Sequence, residues 1–174
     1  MALHAYVDES FEGAYLMALV AVDGGDVAAT RSKTRRLRAR GASRFHMSSE
    51  SDQRRDRALA LIRELPVTAV VVEVRGDTPA HQRRVRAIES IVSECVRLGA
   101  SRLLFELDIS VVRRDRSTVA RALRSTDDAS ALTYGFVGGA AEPLLWLPDA
   151  VAWAWARGGH WRGKLPEGLR RIRA

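Results

Sequence analysis

Three acids stand where chemistry could use them: Asp8, Glu106 and Asp149. Asp8 closes the stretch Leu3-His4-Ala5-Tyr6-Val7-Asp8-Glu9-Ser10, whose alternation predicts a strand with Leu3, Ala5 and Val7 on one side and His4, Tyr6 and Asp8 on the other. A carboxylate at the end of a strand, directly before a turn, projects into a cleft while its backbone stays fixed. Asp8 therefore reads as the first ligand of a metal site, with Glu9 beside it. The plainer reading is that the two acids open a turn, where acids are common. Glu106 stands near the end of a later strand. Asp149 lies among Trp146, Val151, Ala152 and Trp153, and a lone acid in so apolar a stretch is costly unless it is paired, metal-bound or facing water. Its alternative role is a helix N-cap made necessary by Pro148. A pair of Mg²⁺ or Mn²⁺ ions needs several carboxylates with bridging oxygens. One ion can then activate water while the other stabilises the leaving oxygen of a phosphodiester.

Other chemistries find less support. His46, before the Ser49 cap, is either a proton shuttle or ligand near the acids or a structural histidine. His4 shares the Asp8 face by parity, and His81 and His160 read as surface residues. No two histidines have zinc-ligand spacing. Ser10 lacks an evident base, and the chain has neither a nucleophile elbow nor a Walker-type glycine loop.

The elements that must position the acids follow from pattern. Residues 14–22 are apolar throughout, as in a strand buried on both faces, and form a hairpin with the first strand across a 9–13 loop. Residues 26–40 form a helix ending at Gly41 and carry Arg31, Lys33, Arg35, Arg36, Arg38 and Arg40, either a solvated face or a phosphate grip. Ser49-Glu50-Ser51-Asp52 resembles a capping box, opening a helix that Pro66 stops. Residues 67–74 are a β-branched strand. Thr78-Pro79 starts a helix that runs to Gly99 with Cys95 on its apolar face. A strand at 102–107, a short helix near 117–123 and a strand at 132–136 come next. In the apolar stretch 142–157, Pro148 means that the helix either kinks or begins there. This order predicts an α/β fold, a mixed sheet with an N-terminal antiparallel hairpin and then parallel strands, flanked by helices. We expect one domain over 1–174, with a basic tail from about 160 that is loosely held.

Composition sets the frame. The chain has 174 residues, 47% of them hydrophobic, which suits one substantial core. One cysteine excludes an intramolecular disulfide and suits a reducing interior. The N-terminus is too polar for a signal peptide, and the apolar runs are too short to span a bilayer, so a cytoplasmic protein with no membrane partner is expected. The formal net charge of +7 points to nucleic acid or another polyanion.

Tyr6-Val7-Asp8-Glu9-Ser10, Phe45-His46-Met47 and Leu147-Pro148-Asp149-Ala150-Val151-Ala152-Trp153-Ala154, in that order, resemble the family called domain of unknown function 3800. The resemblance spans nearly the whole chain. It implies a ribonuclease H-like fold and a metal-dependent nuclease or a relative of one. It also implies Asp8 as the first-strand acid, Glu106 as the inner-strand acid with Asp108 as a substitute, and Asp149 as the helix acid. Phe11 replaces the glycine usual after the serine, and Pro148 stands where a small residue is more common. The second acid of true ribonucleases H has two candidate counterparts, Glu50 and Glu142.

The function expected is therefore Mg²⁺- or Mn²⁺-dependent hydrolysis of RNA or DNA. Asp8, Glu106 and Asp149 would hold metal. The basic helix, with Arg113, Arg114 and Arg116, would hold the phosphate backbone. The alternatives are an inactive nucleic-acid-binding module on the same fold, and a protein-interaction role through Trp146, Trp153, Trp155 and Trp161. Of these, Trp146 and Trp153 are expected in the core and Trp155 on another, exposed face.

Overall fold

The sheet is built outward from the opening hairpin. In the computed structural model, which describes residues 2–11, 14–127 and 131–174, β1 (Leu3–Ser10) pairs antiparallel with β2 (Tyr15–Asp23), setting Asp8 opposite Ala18. Gly13 of the expected loop lies outside the described residues. β3 (Val67–Val74) continues antiparallel on β2. The chain then returns to the other side of β1, where β4 (Ala100–Glu106) and β5 (Thr133–Val137) add in parallel. A short β6 (Arg170–Arg173) pairs parallel with β3, so the six strands run β5-β4-β1-β2-β3-β6. This is the mixed sheet expected from the sequence, an N-terminal antiparallel hairpin followed by parallel strands. All but the last residue of β2 are buried, as its unbroken apolar run predicts for a strand covered on both faces.

Helices cover both sides. Tyr6, Leu16, Ala18, Val20 and Leu104 pack toward α1 (Val27–Arg35), α2 (Asp52–Glu64) and α5 (Trp146–Arg157). Val7, Met17, Leu19, Leu103 and Phe105 pack toward α3 (Ala80–Arg97) and α4 (Val112–Arg124). Each fully buried large side chain in these two layers contributes roughly 1.5–3 kcal/mol. α5 is buried over nine consecutive residues, Trp146 to Ala154, because it is apolar all round. It begins just ahead of Pro148, which falls in the first turn, where the backbone N–H groups have no intrahelical partner to lose. Gly158, at φ 70°, ends it in a conformation that only glycine adopts freely.

Several expectations change. α1 stops at Arg35, short of the expected Arg40, so the basic stretch is part helix and part turn. α3 starts after Pro79, and the Thr78 hydroxyl is buried without a hydrogen bond, so it is not the predicted cap. α4 is longer than the short helix expected. Trp146 and Trp153 are core, as expected, but Trp155 is half-buried under Arg162 and Arg171.

The tail is held rather than loose. After the single turn α6 (Gly159–Arg162), β6 brings arginines to two buried acids. Glu73 on β3, 5% exposed, pairs with Arg75 at 2.6 Å and with Arg171. Glu94 on α3, 3% exposed, takes Arg97 at 2.7 Å and Arg170 at 3.0 Å. A buried carboxylate without a cation is strongly unfavourable, so these arginines add to the backbone pairing of β6 with β3 in holding the tail to the sheet. Burial pushes the Glu73 pKa up, but hydrogen bonds from Arg75 and Arg171 outweigh it and hold the carboxyl below its usual range. The stability this gives is present above the unfolded pKa and is lost as pH falls through the folded one. Arg171→Ala is expected to cost about 1–2 kcal/mol by urea denaturation at pH 7, less than the ~3–5 of a fully buried pair because Arg75 remains on Glu73. Adding Glu73→Gln should recover most of that loss.

Candidate functional site

β1 and β4 place the first two acids. The alternation of β1 sends Tyr6 and Asp8 to the α5 side of the sheet, where Tyr6 packs into the core. β4 lies parallel beside β1 with Val7 opposite Phe105, so Glu106 leaves β4 next to the end of β1. Leu104, two residues earlier, fixes the same α5 side for Glu106. α5 crosses this face and supplies Asp149 from its first turn.

Asp149 and Glu106 both bear on Asp8. Burial, then the charge of Asp149, then that of Glu106 push the Asp8 pKa well above the usual carboxylate value. The Glu9 N–H, donated to Asp8 Oδ1 at 2.8 Å, opposes this without reversing it. Asp149 is 5% exposed, and its Oδ2 accepts from the Met47 N–H at 2.8 Å and lies 3.2 Å from His46 Nδ1. That contact raises the His46 pKa, against the lowering effect of partial burial. Asp8 Oδ2 and Asp149 Oδ1 have no hydrogen-bond partner among the described residues.

Glu106 is differently placed. Arg44, from the segment before the 3-10 turn Met47–Ser49, grips it with both ends of its guanidinium, the Nη2 bond measuring 3.1 Å. Gly139 closes over this arginine so tightly that a methyl group there would lie 2.6 Å from Arg44 Nη1. Among the described residues no group of three or more His, Cys, Asp or Glu side chains is placed to hold a metal ion. The carboxylate oxygens of Asp8, Glu106 and Asp149 are nevertheless the donor type that a hard divalent cation takes, and no described cation forms an ion pair with Asp8.

The remaining candidates lie elsewhere. Glu9 points to the opposite side of β1, where its carboxylate takes Arg84 and the Tyr15 hydroxyl. Glu142 caps the 3-10 turn Pro143–Leu145 through the Leu144 N–H and is held by Arg31 at 3.0 and 2.9 Å. It is therefore not on one continuous helix face with Asp149. Glu50 pairs with Arg54. Asp108 accepts from Ser110 and is exposed. None of Glu50, Asp108 and Glu142 is among the groups that most affect Asp8. Arg31 is spent on Glu142, whereas Lys33, Arg35, Arg36, Arg38 and Arg40 are exposed, as are Arg113, Arg114 and Arg116. Arg116 lies over the Phe136 ring at 5.2 Å. Sequence reasoning missed Arg44 and Arg84, since nothing in the chain marks which arginines turn inward. The only available hint was Arg44 standing immediately before Phe45-His46-Met47.

No family model matches this chain, and no curated protein matches it. Among solved structures it is similar to a chain of the PCNA:RNase HII complex from Archaeoglobus fulgidus, with 16% identity and a TM-score of 0.49, over 90% of this chain and 72% of that one.

The Asp8 shift has a direct consequence for stability. An acid whose pKa is raised by folding keeps its proton more readily in the folded state, so ionising it above the unfolded value of about 3.9 costs stability. Asp8→Asn removes that charge at nearly constant shape. In EDTA at pH 7 the variant is expected to melt a few degrees above the wild type, with the advantage shrinking toward pH 4. An unchanged or lower Tm at pH 7 would mean that the protein already satisfies the Asp8 carboxylate.

Proposed function

We propose that this chain is a divalent-metal-dependent phosphodiesterase acting on RNA or DNA, and a member of the domain of unknown function 3800 family it resembles. The observation that carries this reading is that Asp149, from α5, and Glu106, from the end of β4, both bring their charge to bear on Asp8 at the carboxyl end of β1. β1 and β4 flank the point where the chain stops adding strands on one side and starts on the other. Open α/β sheets bind ligands at such switch points, outside the carboxyl ends of the strands. Three rigid elements, two strands and a helix, hold the acids, which suits a site that must keep its geometry.

Asp8 and Asp149 would hold the metal, with Glu106 joining them on release from Arg44. A bound Mg²⁺ or Mn²⁺ supplies Lewis acidity and a more acidic water. His46, with its ring nitrogen on Asp149, is placed to orient that carboxylate and to hold a proton beside it. The exposed cations Lys33, Arg35, Arg36, Arg38 and Arg40 would meet the phosphate backbone. A second reading, a nucleic-acid-binding module without cleavage, draws on one specific observation: Arg44 already supplies Glu106 with a counter-ion.

Labelled single-stranded, duplex and hybrid substrates, incubated with Mn²⁺ or EDTA beside Asp8→Asn, separate the two. Cleavage by the wild type that needs Mn²⁺ and falls at least about a hundredfold in the variant is expected. Cleavage unchanged in Asp8→Asn would sink the assignment of the site. No cleavage, with binding that weakens steeply as salt rises, would leave the binding module.

A further inference from the structure

Behind the acid cluster, on the opposite side of the sheet, lies a cavity of about 340 Å³ between α3, α4 and the start of β2. Tyr15 and Val85 give it apolar walls, and Phe11 stands at its rim, 61% exposed. The Phe11 and Tyr15 rings meet in a T-shaped arrangement, 5.2 Å between centroids at 72°. Among the described residues the exposed large hydrophobics are Phe11, Leu107 and Ile109, and all three sit on the two loops that leave the carboxyl ends of β1 and β4.

The polar groups in the cavity select its ligand. Arg84 reaches into it, but Asp115 holds that guanidinium at 2.8 and 2.7 Å and Glu9 takes a further N–H, so the floor carries no free positive charge for a phosphate. At the edge, the Asp108 carboxylate is set by the Ser110 N–H at 2.9 Å and hydroxyl at 2.7 Å and can accept further hydrogen bonds. Arg114 is exposed, makes no ion pair with a described residue, and can donate them. An aromatic rim, neutral apolar walls and a donor and an acceptor at the edge suit a flat heterocycle with polar edges.

The surroundings say what carries that heterocycle. On one side a small cleft shares Arg84 with the cavity and is lined by Asp8 and Glu106. On the other a groove shares Val85, Ser110 and Arg114 with it and runs past Arg113. Both clefts therefore adjoin the cavity, and the path from it to the acids passes round the carboxyl ends of β1 and β4. We propose that the cavity takes one unstacked base of a single-stranded nucleic acid, with the backbone running from the acid cluster on one side to Arg113 and Arg114 on the other. The inference rests on the nucleic-acid reading above and narrows it, because a base that is paired and stacked in a duplex cannot enter without being turned out.

The test is binding by the full chain in EDTA, where a metal-dependent nuclease does not cut. The probes are a labelled single-stranded oligonucleotide, the same length of wholly abasic backbone, and a blunt duplex. The intact single strand is expected to bind about tenfold more tightly than the abasic one, the effect of losing a base–aromatic stack. Phe11→Ala, at an exposed position, and Val85→Trp, which fills the cavity, should each bring the intact strand down to the abasic level and leave abasic binding unchanged. Equal affinity for intact and abasic strands, insensitivity to both variants, or no binding at all would overturn the proposal. Cleavage in Mn²⁺ is scored separately. Cleavage with base-independent binding removes the pocket and keeps the nuclease, whereas base-dependent binding without cleavage keeps the pocket and removes the nuclease.

Discussion

Carboxylates enclosed between a sheet and its helices must be matched by cations, and much of this structure follows from how that is done. Glu9 and Asp115 share Arg84, Glu142 takes Arg31, Glu50 takes Arg54, and the two most buried glutamates, Glu73 and Glu94, draw in the arginines of the C-terminal strand. Glu50–Arg54 is local, four residues apart, but the other pairs join elements far apart in sequence: strand to helix, helix to loop, tail to sheet edge. Their individual worth is modest where water reaches them, but breaking one strands a charge in a place that cannot hydrate it. Asp8 departs from this pattern. It is half-buried, it sits beside two more acids, and no described arginine forms an ion pair with it, although the charge of Arg44 reaches it from Glu106. The carboxylate without an arginine partner thus falls at the switch point of the sheet.

The topology explains why the uncompensated charge falls there. β1 is central, flanked by an antiparallel neighbour on one side and a parallel one on the other. An antiparallel partner leads away from the carboxyl end of β1, whereas a parallel one ends beside it. Glu106 can therefore meet Asp8, while the residues of β2 opposite Asp8 are the small and apolar Ala18 and its neighbours. α5 closes the third side because it is apolar enough to lie flat in the core. Its proline sits early enough to leave the first turn intact, and that turn carries Asp149 to the two strand ends.

Part of this was readable from the sequence. Period-two alternation put Asp8 and Tyr6 on one face of β1, the apolar run of β2 announced a strand covered twice, and Asp149 stood out as an acid in an apolar helix. These signals are local, set by a strand or helix period, and survive without tertiary knowledge. The arginines were not readable. Arg31 and Arg35 are alike in sequence, yet one holds Glu142 and the other faces water. Arg44 and Arg84 look like surface charge until the fold brings Glu106 and Glu9 to them. A net charge of +7 thus overstates the surface available to a polyanion, since several of its arginines are internal counter-ions. The tail misled for the same reason: a run of arginines suggests solvation, and two buried glutamates on other elements decide otherwise.

Asp8 and Glu9 show how much one strand can set by register alone. Successive side chains on β1 point to opposite faces. Asp8 therefore joins the acids under α5, while Glu9, one residue on, anchors Arg84 and Tyr15 at the floor of the cavity under α3 and α4. The Glu9 N–H is itself donated to Asp8, so the two sides share a peptide as well as a strand. Moving either acid by one position would exchange their faces, sending the arginine-bound carboxylate to the acid cluster and the uncompensated one to the cavity floor. The adjacent acids of the first strand are thus not one motif doing one job. They are two anchors, facing opposite layers, and the rigidity of the central strand fixes the distance between what each of them holds.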